Sequence, residues 1–127
     1  MTREEAVIRD IIGPERVDIR PLAGAVAEME HTLFTRRIAM DDVLVTKHIY
    51  PEVAKRMELG PSSAARRIER LANRCWDRLD GEQMQKYIGR LLRNRGTPCD
   101  LIVYLAYYCC SGKPFYEAVF EEPALLF

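Results

Sequence analysis

Apolar residues recur along this chain at steps of three and four, the spacing that lines one face of a helix, and no stretch convincingly alternates as a half-buried strand does. Thr2 and Glu5 form a capping-box pattern, in which each side chain satisfies the other residue's backbone N–H. Ala6, Val7, Ile8, Ile11 and Ile12 then make the stripe of a short first helix, which Gly13 and Pro14 end. After an extended piece with Val17 and Ile19, Pro21 suits the first turn of a second helix. Leu22, Ala25, Val26, Met29 and Leu33 carry that helix to about Thr35. Asp41 and Asp42 precede Val43, Leu44, Val45 and Ile49, and predict a helix start favoured by its dipole. Pro51 lacks an N–H and disfavours helical angles at Tyr50, so a kink or break is expected there. A short amphipathic piece follows, with Val53, Ala54 and Met57 on one side and Lys55 and Arg56 on the other, before a tight turn at Gly60 and Pro61.

The strongest periodicity comes next: Ala64, Ala65, Ile68, Leu71, Ala72, Cys75, Trp76 and Leu79 share one face. Ser62 or Ser63 is placed to cap this helix, and Asp80 and Gly81 to stop it. Met84, Tyr87, Ile88, Leu91 and Leu92 predict a further helix, and residues 94–98 a loop. Residues 100–110 are apolar almost all round, so periodicity does not separate a buried helix from a strand there, but length favours helix. The expected architecture is all-α, a compact bundle of about six helices containing a helix-turn-helix. At 127 residues the chain has the size of one domain. Residues 1–113 form the helical domain in this reading. Residues 114–127 form an apolar tail with Phe115, Tyr116, Val119, Phe120, Leu125, Leu126 and Phe127. Such a tail either folds back on the domain or meets a partner, a second copy included.

Composition changes this picture little; charge changes it more. Formal net charge is zero, which argues against a uniformly basic coat. Yet Lys47, Lys55, Arg56, Arg66, Arg67, Arg70, Arg74 and Arg78 cluster in mid-chain against only Glu52, Glu58, Glu69 and Asp77, while both ends are acidic. No apolar run approaches the roughly 20 residues that span a bilayer, and the chain does not open on a basic start followed by an apolar stretch. A cytoplasmic protein with no membrane partner is expected. Cys75, Cys99, Cys109 and Cys110 lack the paired spacing of a zinc site and read as reduced core thiols. His31 and His48 lie at no metal-ligand spacing with any cysteine, and no glycine-rich phosphate loop occurs. The expectation is therefore neither an enzyme nor a cofactor protein.

Residues 53–79 read as short helix, tight turn and long helix, the layout that braces a recognition helix for the major groove. On the long helix, Ser62, Ser63, Arg66, Arg67, Arg70 and Asn73 are the candidate base readers, since guanidinium forks match guanine and asparagine matches adenine. Lys47, Lys55, Arg56 and Arg74 are candidate phosphate contacts, which set affinity and register. The competing reading of the same arginines is a solvated helix face, with Glu69 and Asp77 as partners along the helix.

The run TKHIYPEVAK at residues 46–55, followed by Ser62, Arg66, Ile68 and Trp76, resembles the C-terminal effector domain of the response regulator that initiates sporulation in endospore-forming bacteria. The match runs without a gap from about Val45 to Trp76, and weaker similarity extends over roughly residues 5–112. The resemblance implies an all-helical domain, sequence-specific duplex DNA binding, and homodimeric or tandem binding on adjacent sites. It also implies a base-reading role for Arg66. The family has a glutamate where this chain has Ala65, and a second arginine where it has Glu69. Each lost bidentate base contact costs about 1 to 3 kcal/mol, so the preferred site is expected to differ. The family's regulator carries a phosphoacceptor receiver, and the sequence here opens on the effector-like part. The expected function is thus a DNA-binding transcription regulator acting without a receiver. The alternative is an interaction module of the same fold that modulates a full-length sporulation-type regulator without binding DNA, motivated by net neutrality, Ala65, Glu69 and the apolar tail.

Overall fold

The computed structural model describes residues 1–121, and every element in it is helical. The helices are α1 (Arg3–Ile12), α2 (Arg20–Glu30), α3 (Tyr50–Met57), α4 (Pro61–Arg78), α5 (Gly81–Gln83), α6 (Pro98–Ser111) and α7 (Phe115–Glu121). Wide π turns extend α2 through His31–Thr35 and α5 through Met84–Ile88, and a third, Val45–Ile49, leads into α3. Among the described residues there is no strand, and no helix is long and apolar enough to cross a membrane.

Helix α1 has the capping box its sequence announces: Thr2 Oγ1 accepts from the Glu5 N–H at 3.1 Å, and Glu5 Oε1 from the Thr2 N–H at 3.2 Å. Gly13 ends it with φ 84°, a conformation that costs other residues energy. Helix α2 buries Leu22, Ala25, Val26 and Met29 against α6, the most extensive helix pair in the fold. Helix α6 buries Leu101, Ile102, Leu105, Ala106 and Tyr107, so its apolar circumference reflects burial on most sides, and length decided rightly for helix over strand. Helix α4 packs on α2, α3 and α6 through Ala64, Ile68, Leu71, Ala72, Cys75 and Trp76.

Several boundaries differ from those the sequence predicts, each for a local reason. Asp41 and Asp42 do not open a helix; they lie exposed in a short 3₁₀ turn, Met40–Asp42. Leu44 is extended, and its N–H donates to His48 Nδ1 at 2.9 Å, so an imidazole four residues on caps a turn that begins at Val45. Tyr50 keeps helical angles (φ −60°, ψ −41°) despite Pro51. The distortion falls instead at Ile49 (φ −108°, ψ −60°), leaving Pro51 in the first turn of α3, where its missing N–H costs nothing. In the turn before α4 the left-handed residue is Glu58 (φ 55°), while Gly60 (φ −65°, ψ 150°) occupies the cap position ahead of Pro61. Neither Ser62 nor Ser63 caps α4; both lie within its first turn. The α5 extension stops at Gly89 (φ 94°), short of the predicted end near Leu92, and leaves Leu91 exposed.

The described part of the tail belongs to the same core. Phe115 and Ala118 are buried, and the Phe115 ring meets Tyr107 edge-on at 4.9 Å between centroids. Phe120 points the other way and is 86% exposed. Leu125, Leu126 and Phe127 lie outside the described residues. All four cysteines are free thiols. Cys75 and Cys109 are buried and Cys99 is half-buried, but Cys110 is exposed, contrary to its reading as a core thiol, because it falls on the outer side of α6.

Candidate functional site

Helix α3 positions α4. Tyr50, Val53 and Ala54 are buried where α3 packs on α4, and the Tyr50 hydroxyl donates to Glu69 Oε2 at 3.3 Å. Burial, and then the Glu69 charge, push the Tyr50 hydroxyl well above its ordinary value, so it stays protonated as the donor. Glu69 is thereby turned toward α3 rather than toward the arginines beside it.

The outer face of α4 divides into two halves with different electrostatics. In the N-terminal half, Ser62, Arg66, Arg67 and Arg70 are exposed and Ser63 is half-buried. No ion pair engages Arg66, Arg67 or Arg70 among the described residues. In the C-terminal half nearly every polar group is taken. Glu15, on the segment between α1 and α2, holds Arg74 with one oxygen at 2.5 Å and Arg78 with the other at 3.2 Å. Arg95 pairs with Asp77 and also donates to the Asn73 backbone carbonyl at 2.8 Å and to its side-chain oxygen at 3.5 Å. Of the residues the sequence marks as base readers, the structure therefore groups Ser62, Arg66, Arg67 and Arg70 on open surface with Ser63 half-buried beside them, and ties Asn73 to Arg95. A groove of about 520 Å³ runs between α4 and the segment before α2. Val17, Pro21 and Leu71 form its apolar part, and Arg67, Arg70, Arg74, Asp18 and Asp77 its charged walls. The Asp18 carboxyl is held below its ordinary value chiefly by the hydrogen bond from Arg20.

The candidate phosphate contacts also separate. Lys47 is exposed on the turn before α3. Lys55 is exposed and only loosely paired with Glu52, at 3.9 Å. Arg56 is tied to Glu28, whose side chain is only 7% exposed, so its first role is to neutralise a buried carboxylate. Arg74 is held by Glu15 as described.

Sequence reasoning missed Glu15, Glu28 and Arg95, which decide which cations on this face stay available. Glu15 and Arg74 are 59 residues apart, and no local pattern couples them. No group of three or more His, Cys, Asp or Glu side chains is arranged to hold a metal ion among the described residues. No family model matches the chain, nor does any curated protein or solved structure.

Proposed function

We propose that this chain is a transcription regulator that binds duplex DNA, with α3, the turn at residues 58–60 and α4 acting as a helix-turn-helix. The observation that carries this reading is the grouping of Arg66, Arg67 and Arg70, free of ion pairs among the described residues, with Ser62 on the N-terminal half of α4. That half is the part of a recognition helix that meets base edges. Lys47 and Lys55, both exposed, serve as phosphate contacts in this reading. The resemblance of residues 45–76 to the sporulation regulator's effector domain supports the same reading, with Arg66 as the principal base reader and binding as a homodimer or on tandem sites.

Selection from a random-sequence duplex pool at several salt concentrations tests it. An enriched motif is expected, with affinity that falls steeply as salt rises. Arg66→Ala should erase preference at one position, about 1 to 3 kcal/mol between best and wrong base, whereas Lys55→Ala should weaken all sequences alike. A pool without enrichment at any salt would sink the reading.

A second reading, an interaction module that modulates a sporulation-type regulator, draws on the exposed Phe120 and the zero net charge. It is favoured if the chain retains no duplex at low salt but forms a stable complex with a full-length regulator of that kind.

A further inference from the structure

We infer that Glu15 is an internal competitor for DNA phosphate, which holds Arg74 and Arg78 out of the interface and limits how far along α4 the duplex is gripped. This inference rests on the DNA-binding reading.

Arg66, Arg70, Arg74 and Arg78 follow one another at roughly one-turn steps along an exposed helix, so a backbone tracking that face would meet them in succession. Among the described residues only the last two are occupied, and one carboxylate occupies both, each oxygen serving a different guanidinium. Two guanidiniums converging on two oxygens is also the way arginines grip a phosphate. Glu15 thus presents to Arg74 and Arg78 the chemistry that a duplex backbone would offer.

The segment that delivers Glu15 is held in place without the help of its carboxylate. Arg9, on α1, donates to the carbonyls of Glu15 at 2.7 Å, Val17 at 3.1 Å and Gly13 at 3.4 Å. Pro14 precedes Glu15 and restricts the backbone further. Removing the Glu15 charge therefore releases two arginines and leaves the segment where it is. Asp77 and Asp18, the acids that share the groove with Arg74, are engaged by Arg95 and Arg20 respectively and do not replace Glu15.

The test is the salt dependence of binding to a mixed-sequence duplex, measured for the intact chain and two variants, with thermal unfolding by circular dichroism to check folding. Glu15→Gln keeps the side chain's size and removes its charge. It should steepen the slope of log affinity against log salt by up to about 1.8, the value for two new phosphate contacts. The double variant Arg74→Gln with Arg78→Gln should leave the slope unchanged when Glu15 is present. An unchanged slope in Glu15→Gln, while the parent binds, overturns the inference. So does a flatter slope in the arginine double variant, since both arginines would then already touch phosphate. Failure of every form to bind duplex at low salt overturns the DNA reading and this inference together.

Discussion

Glu30 closes α2 beside Glu4 of α1, and two carboxyl groups meet there. Its Oε2 atom is buried, and among the described residues no N–H or hydroxyl reaches it. Burial first, and then the hydrogen bond with Glu4 and its charge, push Glu30 up to about 8, while Arg3 opposes the shift. Cys109 and Cys110 on α6 face the same spot, and neither offers a compensating positive charge. The folded chain keeps a proton here that the unfolded chain gives up above the ordinary carboxylate range. The stability this proton supplies is therefore complete below about pH 4.5 and is lost as pH rises through about 8. Denaturant midpoints taken from pH 5 to pH 8.5 should fall over that window. Glu30→Gln should remove the decline and gain on the order of 1 kcal/mol at the alkaline end, a figure discounted for partial solvent screening. A parallel decline in the variant would place the titrating group elsewhere.

At the scale of elements, where a helix stops depends on residues far from its own end. Gly89 ends the α5 extension at φ 94°, and a β-carbon there would lie 3.1 Å from Pro114 Cβ, on the approach to α7. Gly89→Ala should cost about 1 to 3 kcal/mol by combining a disfavoured backbone with a close contact, read as a lowered melting temperature. Local chemistry made the first helix start legible, but not those of α4, α5 and α6. The Thr2 and Glu5 box needs only residues three apart; Thr97 with Asp100 opens α6 in the same way, at Pro98, where a loop was expected. The start at Val45 was not legible, because it depends on the His48 ring reaching back to the Leu44 N–H rather than on a capping pattern. Leu91 fitted the helical period of the residues before it, yet the chain turns away at Gly89 first. The apolar face of α4 was readable residue by residue, since burying one side of a long helix imposes its own period. Which of its outer arginines remain free was not readable, since Glu15 and Arg95 come from other segments.

For the molecule as a whole, α7 is joined to the core through α6 and the turn that extends α5. Phe115 packs on Tyr104 and Tyr107, and Arg90 lies 3.9 Å above the Tyr116 ring, so the start of the tail is fastened from two sides. Phe115→Ala should lower stability by about 3 kcal/mol, whereas Phe120→Ala should leave the denaturant midpoint within about 0.5 kcal/mol of the parent. If both substitutions destabilise equally, Phe120 is covered rather than exposed. The segment between α1 and α2 has a different consequence for the whole. It has no helix of its own, yet Arg9 binds its carbonyls from one side and Glu15 grips α4 on the other. Opening α1 removes Arg9 and with it the anchor of Glu15, so the Arg74 and Arg78 side chains are released whenever α1 opens. A lesion in the first dozen residues would thus be felt on the arginine face some sixty positions downstream, although α4 keeps its own core packing.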